Sequence, residues 1–188
     1  MTGPIGRRGF FAGLAAASAV SVASARADAP SRRRISFDRR IADLNIVLPE
    51  PPRPVATYAP FRRAGRTLYL AGLGPASAIG PSKFGRVGAE LGVEEGYAAA
   101  RSAGLNVLSL LRSACGGSLD RVVQCLRVGG FVASADTFHD QPRVINGASD
   151  LFVEVFGDAG LHARFAVGVN ALPFNIPVEI ETVWQVRN

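Results

Sequence analysis

The chain is predicted to fold as an α+β domain in which two helices cover one face of a sheet. Two segments, 93–115 and 141–156, have apolar residues at helical spacing, and shorter strand-like apolar runs lie before, between and after them. The resulting order, ββαβαββ, is typical of layered α+β folds. A length of 188 residues, 48% hydrophobic and 19% charged, suits one globular domain rather than two.

The first 27 residues are predicted to be a twin-arginine signal peptide rather than part of the fold. Arg7-Arg8 precedes two phenylalanines, a weakly apolar stretch rich in Ala and Ser follows, and Ala25-Arg26-Ala27 has the small-x-small form of a cleavage site. The stretch is too short to span a bilayer. The sequence therefore predicts a periplasmic protein with no membrane segment after processing. The alternative is an alanine-rich tail with a chance arginine pair.

The folded domain is predicted over residues 37–188, after a flexible basic linker at 28–36. Its first element is a short amphipathic helix at 37–48, which a proline-rich connector ends. A hairpin turned at Ala64-Gly65 comes next, and residues 81–88 form a loop. The strands are predicted over residues 58–63, 67–72, 121–134, 164–170 and 178–187.

Glycines mark the ends of the long helices and a bend in the strand between them. Gly116-Gly117 ends the first long helix, and Gly157 ends the second. Gly129-Gly130 is predicted to bend the strand that joins them.

Charge and motif content exclude several classes of function. Loss of residues 1–27 removes three arginines and no acid, which lowers the net charge from +6 to +3 and leaves little support for a nucleic-acid surface. The sequence has no phosphate loop, dinucleotide fingerprint or nucleophile elbow, and neither histidine has metal-ligand spacing to a cysteine. No metal, cofactor or nucleic acid is therefore expected. Cys115 and Cys125 are expected to be buried free thiols.

The residues most suited to a chemical role lie near the C-terminus. Arg164 opens an apolar, strand-like run, a Leu-Pro corner follows, and the last strand carries Glu179 and Glu181 on one face. A guanidinium grips a carboxylate with two hydrogen bonds, which suggests a site for a small carboxylate ligand. The alternatives are an exposed arginine at a strand edge and a strand with an ordinary solvent-facing side. His162 has a better functional claim than His139 because it lies close to Arg164.

Three single residues gain meaning only from their context, and packing is the default role for each. Tyr58 and Gly72 lie in the predicted hairpin, and Gly72 ends a strand where something can approach the backbone closely. Asn146 lies in the middle of a helix, an unfavourable place for asparagine unless its side chain has a partner.

Several motifs together resemble one family. They are Thr57-Tyr58-Ala59-Pro60, Leu70-Ala-Gly-Leu-Gly-Pro75, Gly85-Arg-Val-Gly88, Val93-Glu-Glu-Gly-Tyr-Ala-Ala-Ala-Arg101, Asp140-Gln-Pro-Arg-Val-Ile-Asn-Gly-Ala-Ser-Asp-Leu151 and the ending Ala163-Arg164, Leu172-Pro173, Glu179-Ile-Glu181. The sequence resembles the RidA family, also called YjgF or the L-PSP endoribonuclease family, over residues 38–187. It is most similar to the subgroup labelled chorismate-mutase-like "putative endoribonuclease".

The resemblance implies a chorismate-mutase-like RidA fold, a homotrimer, and ligand clefts between subunits. It implies hydrolysis of reactive enamines and imines, such as 2-aminoacrylate, to a 2-keto acid and ammonia, without metal or cofactor. Arg164 is implied to anchor the substrate carboxylate and Glu179 to place a water. The positions implied to line or support the cleft are Tyr58, Gly72, Asn146 and Ala166.

Two positions depart from the family pattern. The usual Ser-Gly-Gln is Ala71-Gly72-Leu73, and a common cysteine is Ala166. Three hypotheses stay open. The first is an imine or enamine deaminase, and the second is a non-catalytic periplasmic trimer that binds a small carboxylated metabolite such as a keto acid. The third, a ribonuclease, follows only from the family label. Chorismate mutase activity is not expected, since a shared fold does not carry function.

Overall fold

The computed structural model describes residues 36–76 and 84–188. The predicted signal peptide, the linker apart from Ser36, and the first part of the predicted loop at 81–88 lie outside these residues. The helices described are α1 (Phe37–Asp43), α2 (Val93–Ala114) and α3 (Gln141–Phe156). The strands are β1 (Phe61–Ala64), β2 (Thr67–Leu73), β3 (Val122–Ala133), β4 (Ala163–Val169) and β5 (Val178–Val186).

The strands form a mixed sheet in the order β1-β2-β5-β3-β4, and α2 and α3 pack on one face of it. Pairing is antiparallel except between β3 and β4. The central strand β5 alternates between buried and half-buried residues along its whole length, as its sequence pattern predicts. Trp184 of β5 is fully buried, and its ring packs against Phe152 and Phe156 of α3 at centroid distances of 5.3 and 5.2 Å. The α+β fold predicted from the sequence is confirmed.

Both long helices begin and end close to the predicted residues. The Glu95 side chain accepts a hydrogen bond of 2.9 Å from the Gly92 amide at the start of α2, which satisfies one of the free N–H groups there. The Gly117 amide donates to the Arg112 carbonyl at 2.8 Å, so the two glycines end this helix as predicted. Cys115 and Cys125 are buried free thiols, also as predicted.

The first helix is shorter than the predicted span of 37–48. It ends at Asp43, because Asn45 takes a left-handed backbone conformation with φ 53° that ends the helix. Val47 is therefore 77% exposed, whereas Ile46 and Leu48 pack against the core. At the other end, Ser36 caps α1 by accepting from the Arg39 amide at 3.2 Å.

The hairpin and the long strand differ from prediction in detail. Tyr58 lies before β1 rather than in it, since Pro60 has no amide to donate to a strand ladder. Ala64 pairs with Thr67, so the turn is Gly65-Arg66 rather than Ala64-Gly65. In β3 the irregular pairing lies between residues 122 and 127, whereas the glycines at 129 and 130, predicted to bend this strand, pair regularly with β5.

Candidate functional site

A cavity of about 520 Å³, called here the Glu179 cavity, opens beside β2. The proline-rich segment before β1, strand β2 and the segment between β4 and β5 supply its walls. Three of the predicted site residues line it together: Tyr58, Gly72 and Glu179. Tyr58 is 46% exposed and belongs to this wall because the chain before Pro60 leaves the sheet.

The side chain of Glu179 lies directly over the backbone of Gly72. A Cβ atom at position 72 would stand 1.8 Å from Glu179 Oε1, so this position must be glycine for the carboxyl group to occupy its place. The pairing of β2 with β5 shifts between Leu70 and Leu73, and this irregularity contains Gly72. The close approach that the sequence suggested at Gly72 is thus made by the Glu179 carboxyl group.

The two glutamates of β5 share a face but not an environment. Glu181 forms an ion pair with Arg127 of β3, which neutralises its charge. Glu179 forms no ion pair within residues 36–76 and 84–188, and burial raises the pKa of its carboxyl group above the ordinary range. Burial therefore favours the protonated form of Glu179.

Arg164 lies in β4 and is held by neutral polar groups of α3. Its Nη1 donates to Asn146 Oδ1 at 2.8 Å and to Ser149 Oγ at 3.0 Å, and its Nη2 points to the Pro142 carbonyl at 3.4 Å. Asn146 thus has the side-chain partner that its position in mid-helix requires. Within the described part of the chain no carboxylate pairs with Arg164, so its positive charge is oriented but not neutralised.

His162 extends this network behind Ser149. Its Nδ1 lies 2.6 Å from the Gly160 carbonyl, which can only accept, so Nδ1 carries the proton. Its Nε2, 3.0 Å from Ser149 Oγ, then accepts the serine hydroxyl and leaves the oxygen lone pairs of Ser149 free for Arg164. Burial, with a smaller effect of the Arg164 charge, lowers the pKa of His162 and favours this neutral form.

The sheet separates Arg164 from Glu179 within one chain. Val128 of β3 pairs with both Arg164 and the buried Thr182, so Arg164 projects to the helix-covered side. Glu179 pairs with Phe131 of β3. Since 128 and 131 are three residues apart in a strand, their side chains and those of their partners point to opposite faces. One small ligand cannot contact both groups of the same chain.

The remaining predicted residues divide between the two faces. Asn146 belongs to the Arg164 network, and Ala166 lies two residues along β4 on the same face, half-buried against the core. His139 lines a separate cavity of about 370 Å³ beyond the ends of β3 and β4. The predicted site residues therefore form two groups, Tyr58-Gly72-Glu179 and Asn146-Arg164-Ala166, rather than one cluster.

Sequence reasoning missed three residues of these groups. Ser149 was not predicted, because a serine in a helix has no distinctive sequence pattern. Ser149 does lie three residues after Asn146, and therefore on the same face of the helix. Arg53 and Phe174 line the Glu179 cavity from irregular segments, where spacing carries no information. The charged Arg53 within a run of prolines was the signal that could have been used.

The family comparison agrees with this architecture. The model of the family described as "YjgF/chorismate mutase-like, putative endoribonuclease" matches residues 38–181. The chain belongs to the YjgF/RidA family. Protein TCP17 of Trypanosoma cruzi is 41% identical over 146 residues, which cover 77% of this chain and 91% of that protein.

Two solved structures extend the comparison. The protein Atu1372 of Agrobacterium tumefaciens, described as of unknown function, is 36% identical with a TM-score of 0.74, covering 80% of this chain and 92% of that one. A "putative endoribonuclease" of Shewanella oneidensis is 31% identical with a TM-score of 0.76, and the match covers 81% of this chain and 100% of that one. The predicted family and fold are thus confirmed.

In residues 36–76 and 84–188, no three His, Cys, Asp or Glu side chains are grouped so that they could hold a metal ion. None of the helices in these ranges has the length and apolar character needed to cross a membrane.

Proposed function

We propose that the protein hydrolyses reactive 2-imino and 2-enamino acids to 2-keto acids and ammonia, at sites completed by two copies of the chain. One copy supplies Glu179, Gly72 and Tyr58, and the other supplies Arg164 and Asn146. The observation that carries the proposal is the placement of two groups on opposite faces of one sheet: an arginine that pairs with no carboxylate of the described residues, and a desolvated glutamate. Such groups meet around one ligand only if another copy contributes the second.

The reaction needs a carboxylate anchor and a positioned water. An enamine such as 2-aminoacrylate first becomes the imine by taking a proton at its terminal carbon and losing one from nitrogen. Water then adds to the imine carbon, and both of its protons move in turn to the nitrogen. The first transfer gives the carbinolamine, and the second lets the C–N bond break as the keto group forms and ammonia leaves. Arg164 would hold the substrate carboxylate with its free guanidinium edge.

Glu179 suits the role of proton carrier. Burial raises the pKa of its carboxyl group, which brings its two protonation states closer to equal population near neutral pH. It would accept a proton from the attacking water and return it to the leaving nitrogen. Because imines already react with water unaided, holding and orienting the reactants is sufficient for catalysis.

Assembly as a homotrimer is part of the proposal. The sheet face opposite the helices carries apolar and aromatic side chains that the described residues leave partly or largely exposed. Tyr69 and Val167 are exposed there, and Phe131 packs edge-on against Phe165 at 5.4 Å. A sheet face of this kind is stabilised when another copy covers it.

A lyase-coupled assay tests the proposal. A cysteine or serine lyase generates 2-aminoacrylate, and the release of pyruvate is timed with and without the protein. We expect the wild type to accelerate pyruvate release. The acceleration by Arg164→Ala should be about a hundredfold smaller, because the substitution removes a charged anchor. Arg39→Ala serves as the control, because Arg39 is a surface residue whose one ion pair with the described residues is a 3.9 Å contact with Asp43.

Two results would contradict the proposal. No acceleration by the wild type rules out the activity on this substrate, and a 2-keto acid that raises the melting temperature without turnover would then indicate a binding protein. A loss in Arg53→Ala instead of Arg164→Ala would place the carboxylate anchor in the cavity of a single chain.

A further inference from the structure

The Glu179 cavity has mostly apolar walls. Beside the Glu179 carboxyl group, apolar side chains come from the proline-rich segment, from β2 and from the segment before β5; examples are Val55, Leu73 and Phe174. Asn106, a polar wall residue, already donates to the Gly74 carbonyl at 3.0 Å. A mostly apolar cavity with one carboxyl group, that of Glu179, and one guanidinium, that of Arg53, binds a ligand that is apolar over most of its surface.

Two of these apolar side chains are not buried by their own chain. Val55 is 75% exposed and Phe174 is 76% exposed, although both border the cavity. Exposed apolar side chains gathered around a concavity mark a surface that something else covers. They contribute little to the stability of the fold, because they bury little area within it.

Phe174 is also held in an unfavourable backbone conformation. Its φ is 56°, in the left-handed region that a bulky residue seldom adopts, and Asn175 follows with φ 57°. The turn is fixed by hydrogen bonds from the Ile176 amide to the Pro173 carbonyl at 3.2 Å and from the Gly85 amide to the Asn175 carbonyl at 3.0 Å. Such strain in a side chain that is mostly exposed is typical of a functional position.

We propose that the Glu179 cavity selects 2-imino acids with large apolar or aromatic side chains, and that Phe174 is a specificity-determining residue that packs against that side chain. The inference rests on the proposed function and names its substrate class. With the reactive carbon beside Glu179, the substrate side chain would extend along Leu73 and Val55 toward Phe174. The one-carbon side chain of 2-aminoacrylate would leave most of a cavity of about 520 Å³ unfilled.

The experiment compares imines that differ only in side chain. An amino acid oxidase generates the imines of leucine, phenylalanine and alanine, and semicarbazide traps whatever imine has not been hydrolysed. We expect kcat/KM to be about tenfold higher or more for the leucine and phenylalanine imines than for the alanine imine, because they bury several more carbons. Phe174→Ala should lower kcat/KM for the leucine and phenylalanine imines about tenfold, and kcat/KM for the alanine imine less than twofold.

Two further variants keep the test interpretable. Phe174→Gly relieves the positive φ, so it should fold at least as stably as the wild type and show the same change in specificity. Val47→Ala is the matched control, since Val47 is equally exposed at 77% but lies outside the cavity.

The outcomes separate this inference from the proposed function. If no imine is hydrolysed faster, the proposed function fails. If all three imines are accelerated equally, or alanine imine is preferred, only the substrate class is wrong. If Phe174 variants slow every imine alike and change the sedimentation of the protein, Phe174 is a contact between copies and the inference is overturned.

Discussion

Arg164 and Glu179 differ in what surrounds them. The guanidinium is exposed and oriented by the neutral oxygens of Asn146 and Ser149, so its charge stays available to an anion. The carboxyl group is half-buried above Gly72, and burial raises its pKa. The fold therefore positions one charge by hydrogen bonds and perturbs the other by desolvation. The first arrangement suits carboxylate binding, and the second suits proton transfer.

The largest effect is expected from combining variants of the two regions. Arg164→Ala and Glu179→Gln should each lose nearly all activity as pure proteins. When the two are unfolded, mixed in equal amounts and refolded together, about a quarter of the sites between copies will contain an intact Arg164 and an intact Glu179. Activity should return to about a quarter of the wild-type value, measured by pyruvate release.

The matched control replaces one partner with the double variant. Arg164→Ala mixed with Arg164→Ala/Glu179→Gln contains no intact arginine and should stay inactive. If the first mixture also stays inactive although native ion-exchange chromatography, which separates the variants by charge, shows mixed assemblies, the two groups do not form a site between copies.

Gly72→Ala tests the Glu179 region alone. The new Cβ would stand 1.8 Å from Glu179 Oε1, so the carboxyl group must move by an ångström or more. A displacement of that size should lower kcat by about a hundredfold. Gly92→Ala is the control, because a Cβ at position 92 meets only the Glu95 carboxylate at 3.8 Å. Equal activity of the two variants would show that the position of Glu179 is unimportant.

Asn146 variants test the Arg164 region. Asn146→Ala removes a neutral acceptor and should raise KM about tenfold with a smaller change in kcat, since it loosens the anchor. Asn146→Asp keeps the shape but places a carboxylate 2.8 Å from Nη1, where it competes with the substrate, so KM should rise further. Steady-state kinetics separate the two parameters. A lower KM for the aspartate variant would show that Arg164 does not bind the substrate carboxylate.

The secondary structure was readable from the sequence because its signals are local. Helical spacing placed α3 at its observed bounds, and the glycine pair after α2 ended that helix as predicted. Asn146 carried a usable signal for the site, since its unfavourable place in a helix required a partner. That partner, Arg164, lies in the next strand.

The arrangement of the site could not be predicted from the sequence, because it depends on the register of strand pairing and on segments without regular secondary structure. The approach of Glu179 to Gly72 accompanies a shift in the pairing of β2 with β5, which no spacing rule predicts. Arg164 and the two glutamates are close in the sequence, which suggested one carboxylate ligand site. In the fold β3 lies between their strands, and its register puts Arg164 and Glu179 on opposite faces of the sheet. The backbone of Phe174 has a conformation that phenylalanine rarely adopts, so its sequence gives no sign of it.

The smallest expected effect distinguishes the two regions by stability rather than by activity. Glu179→Gln removes a partly desolvated charge, so it should raise the melting temperature at pH 7 by about 1–2 °C. Arg164→Ala should lower the melting temperature slightly, because the acceptors on Asn146 and Ser149 lose their donor.

The pH dependence fixes the sign of the Glu179 effect. A raised folded-state pKa means that the folded protein holds its proton more tightly than the unfolded chain does. The contribution of Glu179 to the stability of the wild type is therefore largest below the ordinary glutamate pKa. It is lost as pH rises through the pKa that Glu179 has in the folded state. The advantage of Glu179→Gln should accordingly be present at pH 7 and disappear below about pH 4 in melting curves. An advantage that persists at pH 3 would show that packing of the amide, rather than loss of the charge, stabilises the variant.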